Sequence, residues 1–62
     1  MKMFYKQKVS IEYEIIVAAE DIAAANRGEG IVCDGGPTMA YKIISTETYQ
    51  GPVEKYAWVN KG

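Results

Sequence analysis

The first third of the chain alternates apolar and polar residues with the period of a β-strand. Between residues 3 and 19 every odd position except Gln7 is apolar or aromatic, and the even positions from 6 to 14 are all polar. Successive side chains of a strand point to opposite faces of a sheet, so this pattern predicts one long strand with one buried face. A straight strand of that length would span about 50 Å, and we therefore expect a bulge, a strong bend or a protruding end.

The alternation stops at an alanine-rich stretch, AAEDIAAANRG, in which Ile22 and the alanines fall near helical spacing. Glu20 and Asp21 favour a helix start through capping and the helix dipole, and Arg27 followed by Gly28 favours a helix end. These features predict a helix of about two turns, which must pack on the sheet because it is too short to be stable alone.

Two more strands are predicted in the C-terminal half, at residues 38–49 and 53–60, with the breakers Gly51 and Pro52 between them. We expect them to form an antiparallel hairpin. Residues 1–62 are then a single small α+β domain in the order β-α-β-β. It has an antiparallel sheet of about three strands and one short helix packed on one face.

A chain of 62 residues buries only about 60% of the surface that its unfolded form exposes, so partner binding or oligomerisation can add to its stability. The net charge of −1 indicates neither a nucleic-acid binder nor a strongly acidic mimic. A lone cysteine, Cys33, fits a reducing, cytoplasmic setting. We find neither a signal peptide nor an apolar run of about 18 residues, and expect no membrane partner.

The glycine-rich stretch GEGIVCDGGPT, residues 28–38, invites comparison with phosphate-binding loops. It lacks the lysine of a P-loop, it follows the helix instead of preceding it, and its Glu29 and Asp34 would repel a phosphate. We expect a connector. Cys33 has no histidine in the chain to activate it, and the usual zinc site is missing for the same reason. The sequence therefore predicts no enzyme, no metal site and no cofactor.

Charged residues allow two further interpretations. The acidic residues of the first strand and the helix start form either a solvated face or a patch for a basic partner surface. They are Glu12, Glu14, Glu20 and Asp21. The lysines of the N-terminal strand form either a solvated edge or a site for single-stranded nucleic acid, because aromatic residues are interleaved with them. They are Lys2, Lys6 and Lys8, beside Phe4 and Tyr5.

Five tyrosines and one tryptophan are many for so small a domain. Tyr13 and Tyr41 fit the core face of the predicted strands, whereas Tyr49 and Tyr56 lie outside it. Exposed tyrosine and tryptophan side chains are typical anchors of protein interfaces, although aromatic residues also complete small cores.

The order of features from residue 15 to residue 62 resembles that of small phage-encoded inhibitors of host machinery. A strand ending in V-x-A-E at Val17–Glu20 is followed by the alanine-rich helix, a cysteine, a strand beginning Thr38–Met39 and a late aromatic segment with Trp58. Small type I-F anti-CRISPR proteins are the most similar, and a small phage inhibitor of bacterial RNA polymerase shares the outline. The resemblance to the anti-CRISPR proteins implies a protein that binds the CRISPR surveillance complex and blocks access of target DNA to that complex.

We therefore expect a non-enzymatic protein-binding module, a phage or mobile-element inhibitor of a bacterial defence or transcription complex that acts by surface occlusion. Its partner would be a bacterial host protein or ribonucleoprotein complex. The expected contact is the sheet face away from the helix together with the C-terminal hairpin, through Tyr49, Tyr56, Trp58, Lys42 and Lys55. The alternatives are a nucleic-acid binder that uses the N-terminal strand and a structural homodimer that pairs its long first strands.

Overall fold

The computed structural model describes residues 1–10, 13–36 and 41–61. It has a four-stranded antiparallel sheet in the order β3-β2-β1-β4, with one short α-helix on one face. The elements are β1 (Met3–Val9), β2 (Tyr13–Ala19), α1 (Ile22–Asn26), β3 (Ile31–Asp34), β4 (Ile43–Thr48) and a C-terminal 3₁₀ helix (Glu54–Asn60). The predicted α+β class, with an antiparallel sheet and one packed helix, is confirmed. The sheet has four strands where about three were expected, and the chain runs ββαββ.

The predicted long strand is wrong, because residues 3–19 fold back as the β1–β2 hairpin. Met3 lies opposite Ala19 and Val9 opposite Tyr13. In this register odd residues pair with odd residues, so the same face stays apolar on both strands and the alternation does not reveal the turn. Residues 11 and 12, between the two strands in sequence, lie outside the described residues. Both strands are interior to the sheet, so neither has a free edge with which a second copy could pair.

The odd residues of the hairpin form a core under α1. Buried hydrophobic residues of this cluster come from both strands and from the helix: Tyr5, Val9, Ile15, Val17, Ala19, Ala24 and Ala25. Tyr13 and Tyr41 are partly buried against it, as predicted, together with Val32 and Ile43. The alanines of α1 allow the helix to approach the sheet closely.

Gln7 is the one buried polar residue in the described part of the chain, and it joins the sheet to the helix. Only 1% of the residue is exposed. Its Nε2 donates to the carbonyl oxygen of Ala25 at 2.8 Å and to Thr46 Oγ1 at 3.1 Å. The carbonyl groups of a last helical turn have no partner further along the helix. The Ala25 carbonyl oxygen also accepts from the Gly28 N–H at 3.1 Å, so Gln7 adds a second hydrogen bond to the helix end from the centre of the sheet.

The predicted helix start and end are confirmed, although the helix is shorter than expected. Asp21 has an extended backbone, and its side chain accepts a hydrogen bond from the Ala24 N–H at 2.8 Å. Gly28 follows the helix with a φ of 77°, the left-handed conformation common at helix ends.

The glycine-rich stretch is more than a connector, because β3 lies within it and pairs with β2. Gly35, which follows the strand, has a φ of 73°, and a Cβ there would lie 2.7 Å from the Glu14 carbonyl oxygen. A glycine is needed at this place because the chain passes so close to the β2 backbone. The glycine at this point is explained by backbone approach and requires no phosphate.

The second predicted strand, residues 38–49, is present as β4, which pairs with β1. Thr38 and Met39 lie outside the described residues. The third predicted strand and its hairpin are wrong, because residues 54–60 form the 3₁₀ helix. In residues 53–60, the side chains at alternate positions do not divide into an apolar set and a polar set, as they would in a strand with one buried face. A repeat of three, which is the period of a 3₁₀ helix, describes the segment better.

Candidate binding surface

The even residues of β1 and β2 face the side of the sheet opposite α1. Most of the charge on this side is paired within the chain. Lys6 Nζ lies 3.3 Å from Glu47 and 3.9 Å from Glu14, while Lys2 Nζ lies 3.2 Å from Glu20. Three residues of the predicted acidic patch thus have partners within the chain. Glu14 and Glu20 form ion pairs with lysines, and the Asp21 side chain caps α1.

The aromatic residues beside these lysines are largely enclosed. Tyr5 is buried in the core below α1, and Phe4 is half-buried with its ring 5.8 Å from that of Tyr56. Base stacking requires an exposed aromatic face. Phe4 and Tyr5 therefore provide little stacking surface for a single-stranded nucleic acid.

Tyr56 anchors the 3₁₀ helix to this side of the sheet. Only 4% of the residue is exposed, and its hydroxyl donates to Asp34 Oδ2 at 2.8 Å. Lys55 Nζ lies 3.7 Å from the same carboxylate and 5.3 Å from the centre of the Tyr56 ring. Tyr56 was predicted as a contact outside the core. Its side chain is instead an internal anchor, because no exposed face remains for a partner.

The same contacts shift the pKa values of both partners. Burial, and then the hydrogen bond to Asp34, raises the pKa of the Tyr56 hydroxyl above its ordinary value. The Tyr56 hydroxyl, followed by the Gly35 N–H, lowers the pKa of Asp34. The neutral phenol and the ionised carboxylate are therefore the forms that the fold favours.

A second attachment lies at the far end of the 3₁₀ helix. Asn60 Oδ1 accepts a hydrogen bond from the Lys2 N–H at 2.8 Å, and Asn60 Nδ2 donates to the Lys2 carbonyl oxygen at 3.2 Å. The amide side chain thus pairs with both backbone groups of one residue, as a neighbouring strand would. The 3₁₀ helix is held at two points, Tyr56 and Asn60.

Between these attachments, the 3₁₀ helix, the start of β1 and the end of β4 enclose an open groove of about 500 Å³. Its walls are mainly apolar, from Met1, Met3, Phe4, Tyr49, Val53 and Ala57, with polar groups from Lys2, Thr48, Glu54 and Asn60. The residues that the 3₁₀ helix contributes, at 54, 57 and 60, recur every three positions. One complete face of that helix therefore lines the groove.

The outward face of the same helix carries Lys55 and Trp58, and Lys61 follows directly after the helix as its C-cap residue. Trp58 is 53% exposed, and both lysines are exposed. Since these three residues also recur every three positions, they form one stripe with the tryptophan between the two lysines. Trp58 and Lys55, both predicted contacts, are thus brought together beside the groove.

The other two predicted contacts, Tyr49 and Lys42, lie at opposite ends of β4. Tyr49 is half-buried, lines the groove and donates from its hydroxyl to the Pro52 carbonyl oxygen at 3.3 Å. Lys42 lies before the opposite end of β4, where its N–H donates to Ser10 Oγ at 3.0 Å. Six strand residues span about 20 Å. Lys42 is therefore remote from the groove, and the sequence alone did not separate it from the other four.

Cys33, considered above as a nucleophile, lies in β3 and is partly buried. Burial raises the pKa of the Cys33 thiol, so the thiol form is favoured over the reactive thiolate. The described residues contain no group of three or more His, Cys, Asp or Glu side chains that could hold a metal ion. They also contain no helix of the length and hydropathy that a membrane span requires.

Sequence interpretation missed the groove residues Met3, Phe4, Val53 and Ala57. Only Ala57 has a sequence signal, the repeat of three in residues 54–60, and the strand interpretation of that segment concealed it. No family model, curated protein or solved structure matches this chain. The surface itself is thus the basis for a functional proposal.

Proposed function

We propose that this chain is a non-enzymatic binding module that acts by occupying the surface of a protein partner. One observation carries the proposal: a single 3₁₀ helix presents an apolar groove on one face and an exposed tryptophan between two lysines on the next. We name the groove and the stripe together the 3₁₀ surface.

The composition of the 3₁₀ surface suits protein recognition. Tryptophan is enriched among the residues that dominate binding energy, particularly beside pockets that exclude water. Met1 and Met3 add flexible, polarisable side chains, which adapt to partners of different shape. The anchoring of the helix through Tyr56 and Asn60 holds the surface in place before binding, which reduces the ordering cost of association.

The same features describe the partner. An apolar side chain of the partner fills the groove, and acidic groups beside it meet Lys55 and Lys61. Such a partner has an acidic surface with an apolar projection. The resemblance to small type I-F anti-CRISPR proteins and to a small phage inhibitor of bacterial RNA polymerase supports a bacterial defence or transcription complex as the class of partner. Occupation of its surface would inhibit it without chemistry.

Affinity capture from nuclease-treated bacterial lysate, read by mass spectrometry, tests the proposal. We expect the tagged wild-type chain to retain one protein complex in stoichiometric amount. Trp58→Ala, which removes the exposed ring, and Ala57→Arg, which fills the groove, should each lose most of it. Ile22→Ala serves as the matched control, because Ile22 is an exposed apolar residue on the α1 side of the sheet.

Two results would contradict the proposal. One is full retention of the partner by both folded variants. The other is recovery that disappears with nuclease, which would favour the nucleic-acid alternative instead. Circular dichroism of each variant separates loss of binding from loss of fold.

A further inference from the structure

Strand β4 lies at one edge of the sheet, with β1 on one side. The Tyr49 N–H donates to the Phe4 carbonyl oxygen at 3.1 Å just beyond the strand. Hydrogen-bonded pairs alternate along an antiparallel ladder, so the next bonded pairs are Glu47 with Lys6 and Ser45 with Lys8. The backbone N–H and C=O groups of Thr46 and Thr48 therefore point away from β1. No described strand pairs with that side of β4.

This edge has little of the protection that natural edge strands carry. Its sequence, IISTET, contains no proline and a single charge, and Ile44 is 57% exposed. A register shift between β1 and β4 disturbs the pairing only at the Ile43 end. An open edge of this kind is a template for another strand.

We propose that the strand which covers this edge is β4 of a second copy, paired antiparallel about a two-fold axis at Thr46. Thr46 then lies opposite Thr46 of the other copy, Ser45 opposite Glu47, and Ile44 opposite Thr48. The two threonines at the axis exchange both of their outward-facing backbone hydrogen bonds. The result is a continuous eight-stranded sheet with both α1 helices on the same face.

Charge selects this partner and this register. On the face away from α1, Lys8 is the strand neighbour of Ser45, and it is exposed with no ion pair among the described residues. In the proposed pairing, Glu47 of one copy lies two strands from Lys8 of the other. That separation is about 10 Å, which the two long side chains span above the small Ser45.

One of the two neighbouring registers is disfavoured by the same charges. A shift that pairs Thr46 with Thr48 keeps the outward backbone groups matched, but it places Glu47 directly opposite Glu47 of the other copy. Like charges directly opposite in a sheet are destabilising. Charge therefore favours the register centred on Thr46 over the one centred on Glu47, and the pairing also gives a domain with a small core additional buried surface.

Sedimentation equilibrium over a range of concentrations tests the pairing. We expect the wild-type chain to form a reversible dimer and Thr48→Pro to raise its dissociation constant about tenfold or more, because the proline removes one interfacial N–H from each copy. Proline is tolerated at an edge position whose N–H faces solvent. A wild-type chain that stays monomeric at millimolar concentration overturns the proposal, as does a Thr48→Pro chain that dimerises unchanged.

Cysteine crosslinking tests the register independently of the proline variant. In a Cys33→Ser background, Thr46→Cys places two thiols opposite each other across the axis, within the Cα separation that a disulfide requires. Ser45→Cys is the matched control, since residue 45 lies opposite residue 47. We expect Thr46→Cys to form the crosslinked dimer at least about tenfold faster, because only its thiols are within bonding range. Equal rates overturn the register. Thr48 also lines the groove of the 3₁₀ surface, whereas residues 45 and 46 do not, so the cysteine crosslink tests the dimer without altering that surface.

Discussion

The Tyr56 hydroxyl donates a hydrogen bond of 2.8 Å to the Asp34 carboxylate and thereby joins the 3₁₀ helix to the edge strand β3. The two residues are 22 positions apart in sequence. The bond orients the helix whose other two faces form the groove and the tryptophan stripe. The proposed function therefore depends on a contact that no partner touches.

The first prediction is a stability difference between the wild-type chain and Tyr56→Phe that depends on pH. The lowered pKa of Asp34 stabilises the fold above its ordinary pKa of about 3.9, and this contribution is lost as pH falls through the lower folded value. The raised pKa of Tyr56 stabilises the fold below its ordinary pKa of about 10, and this contribution is lost as pH rises through the folded value.

The unfolding midpoints of the two chains should therefore differ most between about pH 5 and 9 and converge below about pH 4 and above about pH 10. Thermal denaturation followed by circular dichroism measures both midpoints. Tyr49→Phe is the control, because the Tyr49 hydroxyl bonds a backbone carbonyl instead of a carboxylate. A difference that does not vary with pH would mean that the Tyr56–Asp34 bond does not form.

The second prediction concerns Gln7. Replacement by methionine keeps the approximate volume but removes both hydrogen bonds, so Gln7→Met should lower the free energy of unfolding by about 1–3 kcal/mol. Urea denaturation measures the change. The neighbouring exposed residue supplies the control, Lys8→Met, for which we expect less than about 0.5 kcal/mol. Equal losses of unfolding free energy in the two variants would show that the Gln7 hydrogen bonds do not link the sheet to the helix.

The third prediction compares two glycines with similar backbones. Gly28 has a φ of 77° and no atom within 4 Å of an added Cβ, whereas a Cβ on Gly35 would lie 2.7 Å from the Glu14 carbonyl oxygen. Gly28→Ala should cost about 1–2 kcal/mol through its left-handed conformation alone. Gly35→Ala should cost more, because the β2–β3 pairing must also shift. Denaturation midpoints that rank the two variants in the opposite order would refute this account of β3.

The fourth prediction concerns the second attachment of the 3₁₀ helix. Asn60→Ala removes both hydrogen bonds to Lys2, and we expect the Lys2 amide to exchange its hydrogen about tenfold faster or more. Hydrogen exchange followed by NMR measures this rate. Asn26→Ala, at an exposed position of α1, should leave it unchanged. An unaltered Lys2 rate in Asn60→Ala would show that the helix end is not held there.

Much of the fold could be predicted from local sequence signals. The helix has a capping aspartate and a terminal glycine, and both act at the expected places. The core face follows from the alternation of residues 3–19. The β1–β2 turn was not predictable from that pattern, because the hairpin register keeps odd residues on one face in both strands.

The candidate site was predicted less well, for a reason specific to its helix. A segment of seven residues is too short for its residue types alone to distinguish the period of two of a strand from the period of three of a 3₁₀ helix. The choice between them depends on contacts from distant strands, namely Asp34 and Lys2. Trp58 and Lys55, both predicted as contacts, lie on one exposed stripe of the 3₁₀ helix, whereas the strand interpretation put them on opposite faces. The burial of Tyr56 and the distance of Lys42 follow from the tertiary structure and had no local signal.

The most direct test of the central claim uses Trp58 as its own probe, because it is the only tryptophan in the chain. The chain is labelled with 5-fluorotryptophan, and its single ¹⁹F resonance is recorded before and after addition of the protein complex that the wild-type chain captures. We predict that the resonance shifts and broadens in proportion to the complex formed, since the exposed ring becomes buried in the interface. A resonance that stays unchanged while the complex forms would contradict the assignment of the 3₁₀ surface as the binding site.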